Sequence, residues 1–378
     1  MKIAFLVHDY HRRGGHSRYV VELATRFQHE HEVHVFANTW DSLGSENVYF
    51  HKVPALTNRE ILKVLTFIIP GTQMIAKGTY DIVHAQGLCG LRHDITTSHC
   101  VQASWLKGLE SRGIKTGWAG FFWKWLVVPL ERRAFDHIHS KRVIAISQRV
   151  RRDLQKEYKC KSNIDLVYHG IDLEKFHPEN KTLWRGKIRD SLGINPNDFV
   201  SIFVGNLQKG ASAAIKAIAM VPDAKLILVS GSNNQKEKKL AQKLGIQKQL
   251  FWVSPTMHIE RYFAAADCFL FPTFYDTYGM VISEAMASGL PVITSKEAGA
   301  SDLIHHGDSG FLLEDAWDTE AMAANLILLK SQPEISSRMA SAARRAMEPF
   351  TWGKCAIETM ACYQRVLEGR KARDQGKF

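Results

Sequence analysis

What limits this 378-residue chain most is that it carries two successive series of short apolar runs, each alternating with amphipathic segments. The first series opens with IAFLVHD, which reads as a buried strand. It continues with helical spacing from Arg18 to Gln28, the strand HEVHVFA, and a helix or pair of helices from Glu60 to Lys77 broken at Pro70-Gly71. The runs YDIVHAQ, DITTSHC and KRVIAIS complete it. The second series starts near Phe199 with VSIFVG. A helix from Ala211 to Met220, KLILVSG, a helix from Gln235 to Lys243, LFWVS, a helix from Ile259 to Ala265 and CFLFP follow. Parallel strands need long crossovers and helices supply them, so this alternation predicts parallel sheets wrapped by helices. Glu174 to Asp198 between the series is polar and holds Pro178 and Pro196, which predicts a hinge. A last amphipathic segment, Lys354 to Leu367, follows Pro349-Phe350-Thr351-Trp352, and the polar tail after Gly369 is expected to fray. The length suits two domains of ordinary size.

Several classes are excluded. Neither first strand leads into G-x-G-x-x-G, and there is no G-x-x-x-x-G-K-[ST], which argues against a dinucleotide cofactor and a P-loop. No D-x-D offers ligands for a metal-bridged diphosphate. The six cysteines are scattered without a C-x-x-C pair and read as free thiols of a reducing compartment. No segment reaches the roughly 18 uninterrupted apolar residues of a spanning helix. The five-residue apolar run in MKIAFLVHDY reads as a strand and is too short for a signal-peptide core.

The charge is uneven. Lys107 to Lys161 holds fourteen Lys or Arg against five Asp or Glu, which supplies nine of the eleven net positive charges. Trp118, Phe121, Phe122, Trp123 and Trp125 lie among them, with Trp105 just before. Basic residues interleaved with aromatic ones suit an anionic amphiphile, and each Lys or Arg near an anionic bilayer contributes about 1 kcal/mol. Region 105–161 is therefore expected to meet an anionic membrane surface. The competing reading is a solvated basic face with its aromatics turned into the core.

The stretch Pro272 to Gly289, PTFYDTYGMVISEAMASG, carries the chemistry. The strand-like run Cys268 to Phe271 precedes it; a short helix follows, stops at Gly289 and leads into LPVIT. The loop brings free N–H groups of a helix N-terminus to one spot, flanked by Asp276 and Glu284. Such amides bind phosphate and carboxylates bond sugar hydroxyls, so a site offering both suits a nucleotide sugar.

With Asp276 standing for the usual first Glu, this stretch resembles the E-x7-E segment of retaining glycosyltransferases of the GT-B fold, glycosyltransferase family 4. Four other stretches match the family in order. VGNLQKG resembles its G-R-L-x-x-x-K-G loop, IAISQRVRRDL its segment after a first-domain strand, VYHGIDLEKFHP its connector, and DCFLFPT its entry to the acidic motif. The resemblance implies an α/β protein of two Rossmann-like doubly wound domains facing a cleft. They would be an acceptor-side domain over 1–173, a linker over 174–198 and a nucleotide-sugar domain over 199–353, with a terminal helix over 354–378 packing back on the first. Ligand would sit at the carboxyl ends of the strands.

Residue by residue, the resemblance implies that Gly14-Gly15 face the donor diphosphate and the acceptor. His99, ending Thr96-Thr97-Ser98-His99, lies beside the donor sugar near the reacting carbon, while His84, followed by Gln86 where the family often has a second His, reads as structural. Lys209 holds the donor phosphates and Asn206 stands at the family's Arg position, replacing a bidentate cation by a neutral amide. Lys296 is one candidate compensator. Asp276 bonds the donor sugar, the N–H groups of Tyr278, Gly279 and Met280 contact sugar and diphosphate, and Glu284 grips the ribose. Glu297 and Gly299 resemble the family's G-G-x-x-E stretch loosely.

The implied activity moves a hexose, with retention, from a nucleotide diphosphate sugar (UDP-glucose or another UDP-sugar) to a saccharide or glycolipid acceptor. It needs no metal or other cofactor and belongs to cell-envelope or lipopolysaccharide synthesis. The implied location is cytoplasmic, peripherally on the inner face of the membrane. Asn206 and Asp276 motivate the alternative of a nucleotide-sugar-binding protein with weak or no transferase activity. The basic segment alone raises nucleic-acid binding, but no recognition module is visible and no such partner is expected.

Overall fold

A computed structural model describes residues 1–12, 14–41, 47–111, 113 and 116–375. The chain forms two compact units, Met1–Gly170 with Trp352–Phe378 and Ile171–Thr351.

The sheet of the first unit has seven parallel strands: β1 (Lys2–Leu6), β2 (Glu32–Ala37), β3 (Tyr49–Lys52), β4 (Ile82–Gln86), β5 (Ile95–Ser98), β6 (Arg142–Ala145) and β7 (Asn163–Leu166). Their order is β3-β2-β1-β4-β5-β6-β7, with Ile3 opposite Val33 on one side and Ile82 on the other. The inner strands are apolar on both faces because helices cover both, as parallel sheets require. β3 and β7 are half-buried and polar at the sheet edges, which is why no apolar run announced them.

Two expectations for this unit are corrected. The helix Glu60–Ala76 runs unbroken through Pro70. Proline removes one N–H and crowds the preceding turn, but Phe67, Ile68 and Ile75 bury the helix on both sides of it. Gly71 lets it lie close: a Cβ there would stand 3.2 Å from the Cys89 carbonyl and from Leu6. The last helix is longer than the apolar spacing suggested, Trp352–Asp374, and does not stop at Gly369. It buries Trp352, Cys355, Cys362 and Tyr363 in the first unit, and Arg370 beyond the glycine pairs with Asp94 and donates to the Asp81 carbonyl at 2.6 Å.

The second unit repeats the topology with six parallel strands: β8 (Val200–Val204), β9 (Lys225–Val229), β10 (Leu250–Val253), β11 (Cys268–Phe271), β12 (Val292–Ser295) and β13 (Gly310–Leu313). Their order is β10-β9-β8-β11-β12-β13. Both sheets therefore change winding direction beside their first strand, and in such sheets ligands bind outside the carboxyl ends of the strands at that switch.

The expected hinge over 174–198 is also corrected. It is folded into the second unit as the helix Asn180–Leu192, ended by Gly193 in the left-handed region. Arg189 on this helix is only 1% exposed. Its guanidinium donates to the carbonyls of Ala265, Asn195, Pro196 and Asp198 and to the Asp267 carboxylate at 2.9 Å. A polar, charged stretch resembles a solvated linker, but one of its charges, Arg189, is a buried five-fold donor. All six cysteines are free thiols.

Candidate functional site

In the second unit the loops after β8 and β11 meet at the winding switch. Gly210 fixes their spacing: its φ is 109° and a Cβ on it would come 2.2 Å from the Pro272 carbonyl oxygen, so only glycine fits. Lys209, one residue earlier, donates to Asp276 Oδ2 at 2.6 Å. Asp276 is pinned from behind by β12's outgoing chain: its N–H bonds the Glu297 carbonyl at 3.1 Å and its carbonyl accepts from Gly299 N–H at 2.9 Å. This is the structural work of the loosely matching Glu297–Gly299 stretch. Asp276 Oδ1 accepts the Tyr278 N–H at 3.2 Å, so that amide serves the loop itself. Gly279, at φ 85°, is the N-cap of the helix Met280–Ala287, whose first N–H groups lack intrahelical partners and form the positive end of the helix.

Glu284 is one turn further along, 6% exposed, and with Val281 and Asn206 lines a cavity of about 420 Å³. Its other walls are Ser230, Gly231 and Ser232 after β9 and Pro255 and Thr256 after β10. Sequence reasoning missed these five; their one signal was their place at strand ends. Asn206 caps the turn Leu207–Lys209, its side-chain oxygen accepting the Gln208 N–H at 2.9 Å, so it shapes the loop as well as the cavity wall. Lys296 is paired with Glu314 on an exposed surface and does not compensate for the missing arginine. The structure thus brings together Asn206, Lys209, Asp276, Tyr278, Gly279, Met280 and Glu284 on two loops and one helix.

Gly14, Gly15 and His99 belong to the first unit. Gly14 (φ 83°) is the N-cap of the helix Gly15–Phe27 and lines, with His99, a second cavity of about 340 Å³ at the carboxyl ends of β1, β4 and β5. His99 Nε2 donates to Gln86 Oε1 at 2.8 Å, and Nδ1 has no partner among the described residues. Burial, then the neighbouring His169, holds the imidazole neutral by pushing its pKa well down. His84 is fully buried, with Nδ1 on the Tyr363 hydroxyl and Nε2 on Thr97 Oγ1, each at 2.7 Å; it is structural, as read. The cavity also holds an ion pair the sequence did not show, Lys63 with Asp9, the latter bonded to the Thr39 hydroxyl too. A buried carboxyl, Glu131, forms part of its wall. Oε2 of Glu131 accepts the Gln102 N–H at 2.9 Å and the Tyr158 hydroxyl, and burial pushes its pKa up to about 7.

The aromatic segment lies on this unit. Residues 117–134 form one helix with a π-turn at Trp123–Val127. Trp118 is 82% exposed and Trp125 68%, with Phe121, Phe122 and Leu126 exposed beside them, while Val127 and Ala134 on the opposite side join the core. Lys124 and Lys107 pair with Glu110 and Glu157. Arg112 and Lys115 lie outside the described residues. No helix among the described residues is long and apolar enough to cross a membrane.

Two units of parallel sheet, each with a cavity at its winding switch, define a protein of two doubly wound α/β domains. The chain belongs to the group 1 glycosyltransferases of glycosyltransferase family 4: the family described as Glycosyl transferases group 1 matches residues 185–346, and the one described as Glycosyltransferase Family 4 matches residues 13–175. D-inositol 3-phosphate glycosyltransferase of Mycobacterium marinum is 28% identical over 233 residues, covering 56% of this chain and 48% of that protein. The chain spans about half the length of the curated relatives it matches first. WaaG, a glycosyltransferase involved in lipopolysaccharide biosynthesis, superposes with a TM-score of 0.78 at 20% identity over 94% of this chain and 98% of its own. Anabaena HepE in complex with UDP and glucose does so with 0.72 at 20% over 96% and 99%. These likenesses establish the GT-B fold.

Proposed function

We propose that the chain is a retaining glycosyltransferase that takes a hexose from a nucleotide diphosphate sugar, with UDP-glucose as the first donor to test, and gives it to a saccharide or lipid-linked acceptor. The observation that carries this is the convergence on two loops and one helix of the second unit of a lysine, two carboxylates and a helix N-terminus. Lys209 and the amides at Gly279–Met280 stabilise the leaving diphosphate, an electrostatic contribution that grows as charge develops. Asp276 bonds sugar hydroxyls once diphosphate takes over Lys209, and Glu284 bonds the ribose in the cavity beside Asn206. The C1–O bond to the diphosphate breaks while the acceptor oxygen bonds C1 on the same face, its proton passing to a phosphate oxygen. HepE, solved with UDP and glucose, and WaaG, by its lipopolysaccharide role, support the donor class and an envelope acceptor. No metal has a role in this reading.

The test is thermal stabilisation by UDP-, GDP- and ADP-glucose, for wild type, Glu284→Gln and Lys209→Ala. At about 100 times Kd one donor adds roughly 2.7 kcal/mol. Loss of that shift in both variants supports the reading, and no shift with any donor leaves a GT-B protein without a working donor site. Retention is checked by the anomeric coupling constant of the product.

The exposed aromatic face of 117–126, flanked by Arg132, which has no partner among the described residues, is proposed to dock on an anionic bilayer from the cytoplasmic side. Sedimentation with phosphatidylglycerol-containing vesicles is expected to fall at least tenfold in a Trp118→Ser/Trp125→Ser variant. Equal sedimentation with neutral phosphatidylcholine vesicles would remove the electrostatic part of the proposal.

A further inference from the structure

The last helix carries a glycine that the fold does not require. Gly369 lies inside the helix Trp352–Asp374, where glycine is destabilising because it has the most backbone freedom to lose. A Cβ on it would meet nothing within 4 Å, and its φ is not in the left-handed region. Neither packing nor backbone conformation therefore calls for glycine there. The missing side chain leaves open a cavity of about 170 Å³ in the first unit. This cavity lies at the amino ends of β6 and β7, whose first residues Arg142 and Asn163 line it. The strands are parallel, so it stands at the opposite end of the sheet from the cavity of Gly14 and His99.

Five cations line it. Arg365 and Arg373 stand one turn before and one turn after Gly369 on the same row of the helix, with Arg370 beside them. Lys141 and Arg142 come from the chain entering β6. Two carboxylates hold three of these cations. Asp165 accepts from Arg142 Nε at 2.6 Å and Nη2 at 2.9 Å, and lies 3.2 Å from Arg365; Asp94 pairs with Arg370. The side chains of Lys141 and Arg373 have no partner among the described residues. Five positive charges against two negative ones leave an excess of three, and no acidic residue is among the described lining residues. A concave site of one sign focuses its field on a counter-ion.

The charge and the size say which anion. A carboxylate brings one charge and two oxygens. A phosphate monoester brings about 1.5 to 2 charges at pH 7 and three oxygens, and guanidinium forks match it bidentately. The cavity is smaller than the roughly 300–1,000 Å³ of sites that enclose a whole small molecule, so it takes one anionic group and leaves the rest of its carrier outside.

We propose that this cavity is a binding site for a phosphate monoester, and that the bound phosphate ties the last helix to the edge of the first sheet by joining Arg373 to Lys141. It is separate from the nucleotide-sugar site and does not rest on the transferase reading. A soluble phosphate ester and the headgroup of phosphatidic acid offer the same chemistry, and the test separates them.

Isothermal titration calorimetry at pH 7.5 and low salt measures binding of glycerol 3-phosphate, with acetate as the singly charged control. Wild type is compared with Gly369→Leu, Lys141→Gln/Arg373→Gln and Lys209→Ala. Gly369→Leu fills the cavity without changing its charge and favours the helix, so its fold is kept. Binding should weaken at least tenfold in Gly369→Leu and in the double variant and stay unchanged in Lys209→Ala. In wild type, glycerol 3-phosphate should raise amide protection of the last helix and β7 and leave β8–β11 as they were. If glycerol 3-phosphate is not bound, but phosphatidylcholine vesicles containing phosphatidic acid sediment wild type at least tenfold better than Gly369→Leu, the site stands and its phosphate is a lipid headgroup. Four results overturn the proposal: acetate bound as tightly as the phosphate, binding lost in Lys209→Ala, binding lost in the double variant but kept in Gly369→Leu, or no effect of Gly369→Leu with either probe.

Discussion

The two units share a strand order and differ in what they bury. The first is built around imidazoles: His84, His93 and His169 are each less than a tenth exposed, and burial holds all three neutral, at about 3, about 4 and about 3. The second has no such cluster among its described residues and is tied by arginines. Arg189 gathers four carbonyls and a carboxylate, and Arg344 gathers the carbonyls of Leu173, Phe176 and Ala287. One topology thus supports two kinds of interior: neutral imidazoles are buried in the first unit, and backbone geometry with a lysine–carboxylate pair shapes the site of the second. The winding switch decides where a site lies, and local residues decide what it binds.

The largest expected effect comes from acid. A histidine whose folded pKa is depressed contributes no penalty above its unfolded value of about 6.5, and costs stability as pH falls below it, because the unfolded chain takes up a proton the native one refuses. Three such groups together cost on the order of several kcal/mol by pH 5. Amide exchange corrected for intrinsic rates should show the first unit losing protection between pH 6.5 and 5 while β8–β11 keep theirs. Simultaneous loss in both units would break the comparison.

Arg189→Met should cost the second unit about 3–5 kcal/mol, since it strands the Asp267 carboxylate and four carbonyls, with little change in the protection of β1 and β4. Denaturant unfolding read by exchange in each unit checks it.

A pair of glycine substitutions sharpens the contrast further. Gly210→Ala meets a carbonyl at 2.2 Å in a left-handed backbone, and should cost about 1–3 kcal/mol or more and abolish nucleotide-sugar binding. Gly87→Ala, also left-handed but in open space, should cost about 1 kcal/mol and leave nucleotide-sugar binding intact. Equal losses would mean that backbone strain alone, and not the contact with Pro272, sets the second site.

The smallest effect runs opposite to the first. Glu131 has its folded pKa raised to about 7, so the native state holds a proton the unfolded state releases above about 4.5; stability from this group is full at low pH and declines as pH rises through 7. Glu131→Gln should remove that decline, seen as a smaller difference in Tm between pH 5.5 and 8 than in wild type.

The strand runs of both sheet centres were legible because apolar residues on both faces need no partner to be recognised. So were Lys209, Asp276, Gly279 and Glu284, which lie close to one another on loops the apolar runs delimit. Edge strands such as Asn163–Leu166 were not, since a half-buried polar strand is defined by its neighbour's free N–H and C=O groups. The first cavity was legible only at Gly14 and His99. Lys63 and Glu131 come from helices whose approach no local spacing records, and a glutamate in a basic stretch gives no sign that it is buried against a tyrosine.

By itself the sequence determined the two rounds of alternation, the loop with its helix N-terminus and carboxylates, and the aromatic residues within a basic segment, because these follow from periodicity and from turn chemistry a few residues long. Tertiary structure alone decided that Glu174–Asp198 is folded, that the helix over Pro70 is continuous, which aromatics face water, and which cations are already paired. Each of those is settled by a contact between residues distant in the chain, where burial outweighs local preference.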